Sequence, residues 1–236
     1  MSIGLGSGPL ATTPVFATDE EIYVRCTGDF GIIAPPSQML AAGTDGVFAP
    51  GSPWILNSDT NNFQSQGVLA QTVVWLQGPA AVFRGTGIFL AVDSASGNAL
   101  ILRRPMQPLW AGMPPAPAAG ITGVTFTIQT LYPQIEEASY YLKTRFMVDE
   151  AIAYRSSSWL YKGVEDPYRS LRRLCILKVL VDRYTAEVRE ERGDFEMKRR
   201  QFGVEYKELF GQVQVKFGPM GNSAEAADIF STKISR

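Results

Sequence analysis

The stretch Gly123-Val-Thr-Phe-Thr-Ile-Gln-Thr-Leu-Tyr-Pro-Gln-Ile-Glu-Glu-Ala-Ser-Tyr-Tyr-Leu-Lys-Thr-Arg-Phe146 changes its hydrophobic period half-way along. Val124, Phe126 and Ile128 alternate with threonine and glutamine, the two-residue repeat of a strand with one buried face. From Pro133 onward the apolar residues Ile135, Ala138, Leu142 and Phe146 recur at the spacing of one helix face. Pro133 suits an opening helical turn, and Glu136 and Glu137 sit favourably beside the positive end of the helix dipole. A strand therefore ends near Thr130 and a helix follows at once.

Upstream of this switch, 130 residues hold 16 of the 22 glycines and 12 of the 15 prolines but only 11 charged side chains, against 34 charged side chains in the remainder. That contrast predicts two folding units and an α+β class. In the first, residues 1–104, short apolar runs alternate with turn residues at the spacing of an all-β sandwich or barrel. Strands are expected at Glu21–Cys26, Val47–Phe48, Trp54–Leu56, Val68–Leu76, Ala81–Phe83, Ile88–Val92 and Ala99–Arg103. Ser94-Ala-Ser-Gly-Asn98 is turn chemistry between the last two, which read as a hairpin. Residues 105–122 contain five prolines and form an extended arm, in which Trp110 and Met113 are candidates for docking onto a neighbour.

Downstream, residues 123–217 form the expected helical domain: the strand just described, then three amphipathic helices packed as a bundle. Asp166-Pro167 supplies a cap and a first-turn proline for the longest helix, with Leu171, Leu174, Cys175, Val181 and Tyr184 facing inward. Gly193-Asp194 separates it from a third helix carrying Phe195, Phe202, Tyr206, Leu209 and Val213. Residues 218–236 form an extended tail with too little apolar surface to fold without a partner.

The chain has no histidine, which removes the usual general base near neutral pH and the commonest transition-metal ligand. Adjacent carboxylates at Glu136/Glu137, Glu165/Asp166 and Glu190/Glu191 point about 100° apart on a helix and do not converge on a substrate. Gly4-Leu-Gly6-Ser-Gly8 and Gly85-Thr-Gly87 lack the lysine and the strand–helix context of a phosphate loop. The oxygens of Asp45 and of Asn57–Asn62 suit a turn better than a calcium site. These readings predict a non-enzymatic protein with no cofactor and no metal. Cys26 and Cys175 are assigned to different domains, as unpaired buried hydrophobes. No run of about 18 uncharged apolar residues is present for a membrane span, and a net charge of −1 gives no global attraction to nucleic acid. Two basic clusters, Arg169/Arg172/Arg173 and Lys198/Arg199/Arg200, are local candidates for meeting DNA in a channel or a sister subunit. Pairing with the nearby Glu187, Glu190, Glu191 and Glu196 explains them more simply.

Three runs together, Leu131–Phe146, Asp166-Pro-Tyr-Arg-Ser-Leu-Arg-Arg-Leu-Cys-Ile-Leu-Lys-Val-Leu180 and Phe202-Gly-Val-Glu-Tyr-Lys-Glu-Leu-Phe210, resemble the head-tail connector adaptors of tailed bacteriophages. In that family a first helix carries Ile, Ala, Tyr-Leu and Arg-Tyr or Arg-Phe in this order, a long second helix starts at Asp or Pro, and a third bears a tyrosine about one turn before a leucine. The resemblance covers residues 131–215. It implies a virion neck protein, assembled in the host cytoplasm without a membrane step, that forms a ring of about twelve copies between the portal protein and the next neck or tail protein, with a transient contact to packaged DNA. It also implies that the tail docks on the portal, with Phe217, Ile229, Phe230 and Ile234 as apolar anchors. The N-terminal β domain departs from the minimal adaptor pattern, and it leaves open a receptor- or glycan-binding module, or a decoration of the neck, attached through the helical domain.

Overall fold

The computed structural model describes residues 15–78, 87–105, 118–146, 167–188 and 193–213. Among the described residues two short helices come first, α1 (Asp19–Cys26) and α2 (Phe30–Ile33), followed by a 3-10 turn at Pro36–Gln38. Six strands follow: β1 (Met39–Phe48), β2 (Ile55–Asn57), β3 (Val73–Gln77), β4 (Ile88–Ser96), β5 (Ala99–Arg103) and β6 (Val124–Gln129). Among the described residues three longer helices follow, α3 (Tyr132–Phe146), α4 (Pro167–Glu187) and α5 (Gly193–Gln212).

The strands form a closed antiparallel barrel in the order β1-β2-β5-β4-β3-β6, with β6 paired back onto β1. Closure leaves no strand edge among these six to recruit another chain. The strict alternation read at Val124, Phe126 and Ile128 is realised, since all three are buried in the barrel together with Phe48, Leu56, Leu76, Leu90 and Leu100. Phe63 enters the same core from the β2–β3 connection and meets Phe126 edge-on at 5.5 Å. At Gly43 a Cβ would stand 2.7 Å from the Phe126 ring, so the close β1–β6 approach beside the bulge requires glycine. The predicted hairpin is present, turning at Gly97 with φ +56°.

Several expectations change. Residues 21–26 are helical, not a strand: Thr18 accepts from the Glu21 backbone and the Glu21 carboxylate accepts from the Thr18 backbone, a complete capping box. The run from Val68 becomes strand only at Val73, because Gln71 turns the chain with φ +68°. Ala81–Phe83 and residues 106–117 of the proline arm lie outside the described residues.

A second core holds the helices. Ile135, Ala138 and Leu142 of α3, Leu171, Leu174, Cys175 and Tyr184 of α4, and Phe195 and Phe202 of α5 are buried together, on the faces that the periodicity marks. Ile22, Cys26, Phe30 and Ile33 belong to this core as well. Cys26 and Cys175 therefore share one core rather than lying in two domains, and both remain free and buried. Burial pushes the Cys175 thiol up to about 12 and raises Cys26 as well, so both are unreactive. The barrel is an excursion that leaves the helical core after Ala34 and returns at Leu131, both buried. The strand at 124–129, which the sequence reading grouped with the helices, hydrogen-bonds with β1 and β3.

The barrel rests on the helices through the outer face of β3 and β4. Val73 joins the helical core, and Phe89 packs against it, meeting Tyr23 at 5.0 Å and Phe30 at 6.2 Å between ring centroids. Trp75 lies on this outer side as well, its ring tilted against Phe89 at 4.5 Å, and covers Gly87, where a Cβ would come within 1.9 Å of its ring. Gly87→Ala is expected to displace Trp75, change the near-ultraviolet dichroism and tryptophan emission, and lower unfolding stability by about 1–3 kcal/mol in denaturant titrations. An unchanged Trp75 environment would contradict this packing.

Candidate interaction surface

Two places concentrate charged chemistry: the joint between barrel and helices, and the basic clusters on the helices. The joint is built on the first turn of α1. Asp19 and Glu20 are buried, at 5% and 0% exposure. Asp19 accepts from the Thr130 hydroxyl at 2.7 Å and from the Leu131 amide at 2.7 Å, which ties α1 to the point where β6 ends and α3 begins. Thr130 in turn accepts from the Tyr132 amide at 2.9 Å. Arg103 at the end of β5 donates from both terminal guanidinium nitrogens to the two oxygens of Glu20, and Asp93 lies 3.7 Å from its Nε. The Glu20 amide, one of the donors a helix start leaves without an internal acceptor, is taken by the Gln71 carbonyl at 3.0 Å.

The joint is hidden in the sequence as long as Glu21–Cys26 reads as a strand. The signal was Thr18-Asp-Glu-Glu21, a capping box followed by an apolar residue. Nothing local indicates that Arg103, 83 residues away, faces Glu20.

The basic residues are mostly engaged within the chain. Arg172 pairs with Glu21 of α1 at 3.0 Å. Arg173 and Arg25 converge on one oxygen of Glu205, at 2.5 and 3.3 Å. Lys198 meets Asp29 at 2.6 Å, and the same Asp29 oxygen accepts from the buried Tyr184 hydroxyl at 2.6 Å, so one carboxylate links the α1–α2 turn to α4 and α5. Arg199 takes both oxygens of Glu196, and Arg200 adds a bond of 2.7 Å through Nε. Hydrogen bonds from Arg199, then Arg200, hold the Glu196 carboxyl down at about 2. Glu187 pairs with Arg183 at 2.8 Å. Arg169 is exposed at the start of α4. Exposed pairs of this kind contribute about 0–1 kcal/mol each, so their effect is to orient helices more than to stabilise them.

Other candidates resolve differently. One Asp45 oxygen accepts from the Ser58 hydroxyl and the Asp59 amide, both at 2.8 Å, and from the Thr60 amide and hydroxyl, both at 3.0 Å. This carboxylate closes the 58–62 loop. Burial pulls its pKa upward, but the Ser58 and Thr60 bonds outweigh that and leave it lowered. Trp54 packs on the barrel core, with the Arg104 guanidinium 5.6 Å from its ring centroid. Glu136 and Glu137 line a shallow groove of about 410 Å³ with Val15, Pro133, Tyr140 and Lys143. Among the described residues no three His, Cys, Asp or Glu side chains gather into a metal-binding group, and no helix is long and apolar enough to cross a membrane. Trp110, Met113, Phe217, Ile229, Phe230 and Ile234 lie outside the described residues.

Comparison with protein-family models, with curated proteins and with solved structures finds no match for this chain.

Burial without full compensation raises the Asp19 carboxyl from 3.8 to about 6, against the lowering effect of the Leu131 and Thr130 bonds. A raised folded-state pKa means that its contribution to stability is fully present below about 4 and is lost as pH rises through 6. Asp19→Asn, which stays neutral, is expected to remove this slope, so that the mutant gains on the wild type by about 2–3 kcal/mol between pH 4 and 7. Urea titrations at several pH values measure it; parallel curves would show that Asp19 does not titrate in this window.

Proposed function

We propose that this chain is an assembly adaptor of a tailed bacteriophage virion, joining head to tail as a ring between the portal and the next neck or tail protein. The observation that carries this reading is the placement of α3, α4 and α5 on the three segments that resemble connector adaptors, with their apolar faces in one core. In this reading the three helices are the adaptor bundle, and α1 and α2 complete its core.

The function is mechanical. Weak contacts repeated around a closed ring become collectively strong, because subunits held in one assembly bind multivalently. The side chains that engage Glu196, Glu205 and Asp29 brace helices against one another, which suits a part that transmits position rather than one that turns over a substrate. Arg169, and the solvent-facing parts of Arg172, Arg173 and Arg200, supply the positive charge for a channel lining or a subunit contact, with exposure of 42%, 51% and 75% for the last three.

The barrel supports a second reading, a neck decoration or receptor-binding module. It has its own core and is inserted as a unit between α2 and α3, so it can project from the helices without interrupting their packing. Trp54 and Trp75 are largely committed to packing, so a glycan platform would have to use other residues.

Native mass measurement of the chain mixed with purified portal is expected to give a ring of about a dozen adaptors on the portal. Deleting residues 218–236 is expected to leave a folded protein that no longer binds. A chain that ignores the portal under all conditions removes the adaptor reading, whereas loss of cell attachment alone on deleting the barrel would favour the second.

A further inference from the structure

The outward stripe of α5 is self-complementary. At 100° per residue, Met197, Arg200, Val204, Lys207, Glu208 and Gly211 point within about 60° of one direction. All six are exposed, Met197 at 63% and Val204 at 57%. Two apolar side chains one heptad apart on a solvent-facing helix are what a helix partner covers. The opposite stripe, with Phe195 and Phe202, is already buried in the helical core.

The order of residues along the stripe selects the partner. Val204 is its centre. Four residues before it stands Arg200 and four after it Glu208; seven before it stands Met197 and seven after it Gly211. Turning a second α5 antiparallel about a two-fold axis through Val204 sets Arg200 against Glu208 twice and Met197 against Gly211 twice. Among the described residues nothing lies within 4 Å of the place where a Cβ would stand at Gly211, and the absence of a side chain there leaves room for the methionine. A parallel in-register pair would instead oppose arginine to arginine and glutamate to glutamate. Arg200 donates its Nε to Glu196, whose two oxygens Arg199 also takes.

We propose that α5 is a two-fold docking surface for a second copy of this chain, in antiparallel register centred on Val204. The contact goes beyond the adaptor reading and does not depend on it, since it requires no portal. One helix pair with two apolar residues a side is small against the roughly 1,200 Å² at which specific stable interfaces begin, so the dimer forms reversibly and only at high protein concentration.

Sedimentation equilibrium of the full chain alone is expected to show a monomer–dimer equilibrium. Arg200→Glu and Glu208→Arg are each expected to weaken the dimer about tenfold, and the two together to restore it, since the double variant rebuilds both pairs with their signs exchanged. Val204→Cys, on the axis, is expected to form a disulfide-linked dimer under mild oxidation, while Lys207→Cys, off the axis, stays unlinked. Circular dichroism of each variant verifies the fold. A chain that remains monomeric at every concentration, reversals whose losses simply add, or a Val204→Cys variant that fails to link overturns the proposal. Because no portal is present, none of these outcomes bears on whether the chain joins head to tail.

Discussion

The structure depends on two adjacent carboxylates buried in the first turn of α1. Asp19 and Glu20 stand where the barrel meets the helices, and each reaches a different part of the chain: Asp19 the start of α3, Glu20 the end of β5. Buried carboxylates are costly, and they persist here because hydrogen-bond donors and a guanidinium meet them. Breaking either bond set would leave charge or polar atoms without water. The relative position of barrel and helices is thus held by a few directional contacts, with the Phe89, Tyr23 and Phe30 rings supplying the apolar surface around them.

That joint explains why the chain can leave the helical core, build a six-stranded barrel and return without disturbing either unit. Closure of β6 onto β1 brings the two ends of the excursion side by side, since Met39 and Gln129 are register partners. The chain therefore leaves and re-enters the helices at two neighbouring positions. An insertion arranged in this way adds a surface to a helical protein at little cost to its packing, because its own core does not merge with that of the helices.

The charged residues follow a different logic. Glu205, Asp29 and Glu196 each gather two or more donors from separate positions, and the basic clusters that stand out in the sequence are largely drawn inward along the helix sides. Consequently the free positive field is smaller than the count of arginines suggests. What remains exposed on α5 is a mixture of sparse apolar groups and opposite charges, the composition of a reversible contact rather than of a permanent one.

The helices α3, α4 and α5, their inward faces, the β4–β5 hairpin and the buried side of β6 were legible in the sequence, because each rests on local periodicity or turn chemistry that burial then satisfies. The helical character of residues 19–26 was also written locally, in Thr18 and Glu21, but β-branched and aromatic residues at Ile22, Tyr23 and Val24 favoured a strand reading. The run Val68–Leu76 was legible as strand but the place of Trp75 at the joint was not, since alternation tells which residues share a face and not which face meets a neighbour. By itself, the sequence determined the types of element and most of their apolar faces. Only the tertiary structure decided that the strands close into a barrel, that α1 and both cysteines belong to the helical core, and that Arg103 meets Glu20. Those outcomes depend on contacts between residues far apart in the chain, for which no local period or propensity carries a signal.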